Sequence, residues 1–415
     1  MKKYGCIGKK LTHSFSKEIH AKLADYLYEL IELNETEIAP FFAKREFAAI
    51  NVTIPYKQTV IPYLDSVSQI AERIGAVNTI VNKDGKLYGY NTDYHGMKAT
   101  IQRLDISLTG KKVLVLGTGG TSKTARVVAK DLGAGEILLV SRRKTAGCIT
   151  YAEAITTHKD AQVILNTTPS GMYPDCEEKP IDIQHFWQLE GVVDAVYNPL
   201  RTNLVLDARQ RGIRAEGGLY MLVTQAVVAV EKFLNKSFPE ETVERVFASV
   251  LGAKENIVLT GMPGSGKSTV AGLLKLDGFE WIDTDAEVEK RCGCTIRELI
   301  GAKGEPYFRD LETAVIREVS KESGRIISTG GGAILRQENI RHLKRNGTLF
   351  FLDADLNRLQ TTADRPLSDT AEKLKKLYAE RIGIYQATAD VTVPELENSE
   401  AEAAYILAKR EARIP

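Results

Sequence analysis

The chain has 415 residues, 43% of them apolar and 26% charged, with a formal net charge of +1. That length exceeds what one hydrophobic core usually supports, so two or three domains are expected. The near-neutral balance gives no reason to expect nucleic acid or a membrane surface as partner and points to small-molecule ligands. The N-terminus carries two lysines but no apolar core of signal-peptide length, and no apolar run reaches the ~18 residues of a spanning helix, so a cytoplasmic location is expected. Five cysteines (Cys6, Cys148, Cys176, Cys292, Cys294), few and odd in number, argue against a disulfide framework. Cys292-Gly-Cys294 raises the question of a metal, but no second ligand pair lies nearby, and ordinary loop or core cysteines are expected there.

In chain order, residues 1–96 mix short strands (Tyr4 to Gly8, Ala49 to Ile54, Thr79 to Asn82, Leu87 to Tyr90) with helices near Lys17–Leu27 and Ile70–Ile74, a separate α/β lobe. From Lys112 the run Val-Leu-Val-Leu breaks into Gly117-Thr-Gly119-Gly120-Thr121-Ser122 and then into a helical pattern, a dinucleotide-binding turn with serine at the third glycine position. Glu136 to Ser141 completes a βαβ unit, and Val163 to Thr168 and Gly191 to Val196 supply further strands of a parallel sheet. Residues 142–162 are short for a full βα unit, so this lobe is expected to lack some helix. Where an NAD-selective site would place an acidic residue, the chain has Ser141-Arg142-Arg143-Lys144. Positive charge there favours the 2′-phosphate of NADPH; a solvated basic turn is the alternative. Helical patterns over Tyr220–Leu234 and Phe238–Leu251 lead to a short polar junction, Gly252-Ala-Lys-Glu255, where the main domain boundary is expected.

Next the apolar run Ile257 to Thr260 enters Gly261-Met-Pro-Gly264-Ser265-Gly266-Lys267-Ser268-Thr269. Strand, glycine loop and helix in this order form a phosphate-binding loop: backbone N–H groups cradle the phosphates of ATP, Lys267 reaches the β/γ-phosphates, and the Ser268 hydroxyl can ligate Mg²⁺. Asp283-Thr-Asp285 ends the following strand, so one carboxylate can organise Mg²⁺ through water while the other contacts an accepting hydroxyl. Arg309 and Glu312 stand at i, i+3 on one helical face, suited to a guanidinium steadied by one carboxylate while it clamps another. Gly330-Gly331-Gly332 after a strand lets backbone approach a ligand closely.

Across nearly all of residues 1–252 the chain resembles shikimate dehydrogenase. The resemblance rests on His13-Ser14-Phe-Ser16, Asn51-Val-Thr53-Ile-Pro-Tyr-Lys57, Gly75-Ala-Val-Asn78, Asn91-Thr-Asp93, Asn166-Thr167-Thr168-Pro-Ser-Gly-Met172, Asp194-Ala-Val-Tyr197 and Gly217-Gly218 through Gln225. It implies Lys57 and Asp93 as the acid–base pair and Ser14, Ser16, Thr53, Asn78, Tyr197 and Gln225 as substrate contacts. Gly117, Gly119, Gly120, Thr121, Ser141, Arg142, Arg143, Thr167, Met172 and Gly218 fall to the NADP(H) side. Lys17 stands where that family usually has proline.

From Asn256 onward the chain resembles shikimate kinase. That likeness assigns Asp283 with Ser268 to the metal, and Asp285, Arg309, Gly330, Gly331, Gly332 and Arg381 to the substrate. Lys267 and Asp285 become catalytic groups, Arg358 packs on adenine, and Arg365 of Asp364-Arg365-Pro366 is a catalytic lid residue closing over the phosphates. The stretch from Arg365 to Arg381 is shorter than usual there, implying a smaller lid.

The expected architecture is therefore α/β throughout: a substrate lobe (1–96, with returning helices at about 225–252), a Rossmann NADP-binding lobe (97–224), and a P-loop NTPase domain of nucleoside monophosphate kinase type (255–415). The implied function is bifunctional: NADPH-dependent reduction of 3-dehydroshikimate, then MgATP-dependent phosphorylation of shikimate. Two rivals stay open, a quinate-type dehydrogenase fused to a kinase of another small hydroxy acid, and a nucleotide-binding regulatory module. The oligomeric state is open between monomer and homodimer.

Overall fold

The computed structural model describes residues 3–11, 15–359 and 370–414. The chain divides into two compact units, Met1–Val250 and Leu251–Pro415.

Six strands build the first sheet: β1 (Lys3–Gly8), β2 (Tyr28–Glu32), β3 (Phe47–Val52), β4 (Ser66–Val67), β5 (Thr79–Lys83) and β6 (Lys86–Tyr90), in the order β2-β1-β3-β5-β6-β4. β1 pairs in parallel with β2 and β3, whereas β5 runs antiparallel to β3 and β6. The helix expected over Lys17–Leu27 stops at Ala21, and β2 follows as an edge strand. Aromatic packing explains the early stop: Tyr26 stacks on Tyr4 at 4.2 Å and His20 on Tyr28 at 3.8 Å, which draws the chain off the helix axis and into extended form. The helix Glu35–Lys44, held at its start by a capping box between Asn34 and Glu37, has no counterpart in the sequence reading.

The second sheet is wholly parallel: β7 (Lys112–Leu116), β8 (Glu136–Ser141), β9 (Cys148–Thr150), β10 (Val163–Asn166), β11 (Gly191–Asp194) and β12 (Arg214–Glu216) lie in the order β12-β11-β10-β7-β8-β9. This is the doubly wound arrangement whose ligands sit beyond the carboxyl ends of the strands. Period-2 alternation covers both faces: Val113 and Val115 join a core with Met97, Ile101 and Val128, while Leu114 and Leu116 join one with Phe186 and Leu204. The expected loss of helix in 142–162 is corrected, because β9 is followed at once by the helix Tyr151–Thr157. A three-residue strand and a Thr150–Glu153 capping box fit a βα unit into that short span.

Lobe boundaries expected at 96/97 and 224/225 fall inside two helices, Asp93–Arg103 and Leu219–Leu234. These two pack so closely that a β-carbon at Gly96 would lie 2.4 Å from the Met221 carbonyl oxygen.

In the second unit β13 (Asn256–Thr260), β14 (Glu280–Asp283), β15 (Arg325–Ser328), β16 (Gly347–Asp353) and β17 (Val391–Pro394) form a parallel sheet in the order β14-β15-β13-β16-β17. The glycine loop therefore leaves the central strand, between the carboxyl ends of β15 and β16. At the short junction of 252–255 the helix Thr242–Lys254 runs through Gly252, whose carbonyl accepts from Arg410, and β13 begins at Asn256; the division into two units falls just before it, after Val250.

Candidate active sites

In the first unit the turn after β3 presents Lys57, whose Nζ donates to Asp93 Oδ2 at 2.6 Å; the two side chains are 13% and 9% exposed. Asp93 opens the helix Asp93–Arg103, and its second oxygen accepts from Asn78 Nδ2 at 2.9 Å. Asn78 Oδ1 in turn accepts from Thr92 N–H at 2.7 Å. Gln225 reaches in from the helix Leu219–Leu234; its Nε2 donates to the Leu222 carbonyl, which turns Oε1 toward Asn78 Nδ2 (3.4 Å) and Thr92 Oγ1 (3.3 Å). Beneath them Asn51 Nδ2 donates to the Asn78 carbonyl and to Thr79 Oγ1, and Tyr28 O–H donates to Asn51 Oδ1 at 2.7 Å. Buried amides with this many partners hold one rotamer, so the carboxylate and the lysine meet in a fixed geometry.

Thr53 follows β3 and donates its N–H to the Ile7 carbonyl, Ser16 opens the helix Ser16–Ala21, and Tyr197 packs on Phe15 with ring centroids 5.2 Å apart. Ser14 lies outside the described residues.

The dinucleotide turn comes to the same place. Gly117 follows β7 and lies against Thr167, whose hydroxyl donates to the Leu116 carbonyl; Gly119 and Gly120 start the helix Gly120–Asp131, with Thr121 in its first turn. A β-carbon at Gly120 would lie 3.4 Å from Lys57 Cβ, so this helix start, a terminus of the kind that suits a phosphate group, abuts Lys57. Gly218 N–H donates to the Val196 carbonyl, and Met172 closes a turn onto Pro169 with 44% of its surface exposed. At the carboxyl ends of β10 and β11, Asp194 accepts from Asn166 Nδ2, Val196 N–H and Thr202 O–H, and full burial pushes its carboxyl up to about 7. Ser141, Arg142 and Arg143 line a cavity of about 810 Å³ together with Thr118, Ser122 and Arg126. Lys144 departs from the basic turn, since it pairs closely with Glu153. An open, cationic cavity at the end of β8 fits the 2′-phosphate end of NADP.

In the second unit Gly266, at φ +84°, lets the loop turn its amides inward before the helix Lys267–Leu273. Gly264 shares that conformation, Ser265 N–H donates to the Met262 carbonyl, and Thr269 faces solvent on the new helix. Lys267 Nζ donates to the Gly261 and Met262 carbonyls, at 2.9 Å each. Ser268 O–H donates to Asp283 Oδ2 at 2.7 Å, while Asp283 Oδ1 accepts from the N–H groups of Asp285 and Ala286 and so caps the helix Thr284–Cys292. A hydroxyl and a carboxylate oxygen side by side suit Mg²⁺, which binds few protein oxygens and completes its shell with water and phosphate.

Around the glycine triplet charged side chains gather. A β-carbon at Gly330 would lie 2.3 Å from Asp285 Oδ1 and 2.9 Å from Glu312 Oε1, and both of these buried oxygens lack a hydrogen-bond partner. Burial first, then the Glu312 and Asp283 carboxylates, push the Asp285 carboxyl up to about 7 against the pull of Lys267 and Arg309. Arg309 donates to Glu312 Oε2 at 2.9 Å and to Glu305, with its guanidinium against Gly332. Arg381 donates to the Gly331 carbonyl at 3.1 Å. Sequence reasoning gave Tyr385 no role, yet its hydroxyl stands between the Gly261 and Gly331 carbonyls, within hydrogen-bond distance of each, and so links the phosphate loop to the triplet. Arg365 lies outside the described residues, and Arg358 ends a short 3₁₀ turn, Leu356–Arg358. Replacing Gly330 with alanine is expected to displace the Asp285 carboxylate and lower kinase kcat about 10²-fold, the usual scale of a ~1 Å misplacement, with dehydrogenase turnover unchanged. Assaying both activities on one preparation checks this.

A lysine–aspartate pair against a dinucleotide turn, followed in the same chain by a phosphate loop facing a partnerless carboxylate, defines an oxidoreductase joined to a phosphotransferase. Residues 6–80 match the family model for the shikimate dehydrogenase substrate binding domain, and residues 263–411 match that for shikimate kinase. The shikimate dehydrogenase (NADP(+)) of Clostridium perfringens is 37% identical over 265 residues, covering 60% of this chain and 97% of that protein. Among solved structures, shikimate dehydrogenase 1 of Peptoclostridium difficile is similar with TM-score 0.57 at 32% identity, covering 60% of this chain and 98% of that one. The Thermus thermophilus enzyme in complex with NADP(H) and shikimate is similar with TM-score 0.54 at 26% identity, over 60% and 99%. The chain belongs to the shikimate dehydrogenase family and carries a shikimate kinase domain after it. Among the described residues no helix is long and apolar enough to cross a membrane.

Proposed function

We propose that this chain performs two consecutive reactions on one compound: NADPH-dependent reduction of 3-dehydroshikimate to shikimate, then MgATP-dependent phosphorylation of shikimate at its 3-hydroxyl. The observation that carries the reading is the Lys57–Asp93 contact of 2.6 Å beside the dinucleotide turn, in a chain that also sets Asp285 beside a phosphate loop.

NADPH supplies hydride when bound at the cationic cavity and the Gly117–Thr121 turn. Lys57 gives its proton to the ketone oxygen as negative charge develops there, and Asp93 holds the ammonium in line and takes part in its reprotonation. Asn78 and Gln225 orient ring hydroxyls, Ser14 and Ser16 take the carboxylate, and Thr53 and Tyr197 are further substrate contacts. One carboxylate, Asp93, two amides, Asn78 and Gln225, and the Lys57 cation suit a polyhydroxy acid better than an apolar ketone.

In the kinase half MgATP supplies the transferable phosphoryl group. Arg309 and Arg381 clamp the substrate carboxylate, Asp285 accepts the hydroxyl proton through its partnerless oxygen, and Lys267 leaves the loop carbonyls for phosphate oxygens. Ser268 and Asp283 would hold Mg²⁺, Arg358 would pack on adenine, and Arg365 would close on the phosphates.

The test mixes purified protein with 3-dehydroshikimate and NADPH, with and without MgATP, and follows NADPH oxidation and product mass. Shikimate without ATP and shikimate 3-phosphate with it are expected. NADPH left untouched while added shikimate is phosphorylated would sink the first half of the reading.

A further inference from the structure

We propose that Arg126, on the first Rossmann helix, is a third guanidinium of the subsite for the cofactor's 2′-phosphate, and that NADP selectivity is shared between that helix and the turn after β8. The inference rests on the NADPH reading above. Ser122 and Arg126 stand one helical turn apart on the helix Gly120–Asp131, and both line the cavity that Ser141, Arg142 and Arg143 bound from the strand end. Lys123 also lines this cavity, but its Nζ donates to Gln58 Oε1 at 2.6 Å, and Lys144 pairs with Glu153. Arg126, Arg142 and Arg143 have no carboxylate or hydrogen-bond partner for their guanidiniums among the described residues.

Three arginines from two elements line one cavity, and no carboxylate stands among its lining residues. A phosphate monoester carries about −1.5 to −2 charges at neutral pH and three acceptor oxygens, enough to engage planar donors from two sides at once. Gripping it from helix and turn together makes recognition depend on the spacing between two elements, which a solvated basic turn alone would not do. A bare ribose 2′-hydroxyl offers Arg126 no charge to engage.

The decisive experiment measures KM for NADPH and NADH, with 3-dehydroshikimate, in the full chain and in Arg126→Ala, Arg126→Lys and an Arg142→Ala/Arg143→Ala double variant. The ratio of KM for NADH to KM for NADPH is expected to fall about tenfold in Arg126→Ala, the scale of one charge-assisted hydrogen bond, with Arg126→Lys intermediate. An unmoved ratio in Arg126→Ala beside a reduced ratio in the double variant overturns this inference and leaves the NADPH reading standing. Equal rises for both cofactors also overturn it, since they report a structural effect. If wild type uses NADH as well as NADPH and no variant moves the ratio, this inference and the NADPH reading fall together.

Discussion

Replacing Lys57 with alanine is expected to lower dehydrogenase kcat by about 10²–10⁴-fold, the range of general acid–base catalysis, while shikimate phosphorylation by the same preparation is unchanged. The physical reason is that the proton donor is lost where the reduced carbonyl oxygen must be protonated, and that no other cation among the hydrogen-bond partners of Asp93 can replace it: its Oδ1 accepts from the Asn78 amide. Kinase turnover guards against general misfolding, and NADPH binding followed by fluorescence guards the first unit itself. Bound NADPH with lost turnover supports the role; retained turnover within about threefold removes Lys57 from the chemistry.

Asp285→Asn is expected to cost the kinase about 10²–10⁴-fold in kcat and leave the dehydrogenase intact. Its pH signature is more specific. With the Asp285 carboxyl up at about 7, wild-type kcat/KM for phosphorylation should fall as pH drops below about 7, because the proton-accepting oxygen is then already occupied. Stability runs the other way. A carboxyl raised above its unfolded value of ~3.9 keeps a proton in the folded state that the unfolded chain has released, so wild-type stability declines as pH climbs from about 4 to about 7 and levels off above. An asparagine side chain cannot ionise, so the Asp285→Asn variant should unfold at a higher temperature than wild type at about pH 8, with the difference vanishing near pH 4. Calorimetry on both proteins at the two pH values checks the sign; a variant less stable at the higher pH would mean that Asp285 is held ionised by Lys267 and Arg309, against the direction argued here.

Much of this molecule is legible in local chemistry. The buried runs Val113 to Leu116 and Ile257 to Thr260, each broken by glycines, specify parallel strands feeding helix starts, because a strand covered on both faces must be apolar throughout and a phosphate needs backbone amides free of side chains. Spacing within one element is equally readable, so Arg309 and Glu312 at i, i+3 meet as expected. Edges and joins were less so. The strand Tyr28–Glu32 follows a turn in which Tyr26 stacks on Tyr4 and His20 on Tyr28, and the carbonyl of Gly252 accepts from Arg410, far along the chain.

Sequence by itself determined the residue types and the order of the motifs: a glycine turn before a basic strand end, a lysine and an aspartate in the first lobe, a phosphate loop before paired aspartates. Tertiary structure alone decided that Lys57 meets Asp93 across 36 positions, that Gln225 returns from the far end of the unit to face Asn78, that Arg126 shares a cavity with Arg142, and that Lys144 is taken out of that cavity by Glu153. The reason is the range of the forces involved: propensity, periodicity and capping act within a few residues, whereas a side chain's electrostatic partner is set by how sheets and helices stack, which no local pattern encodes.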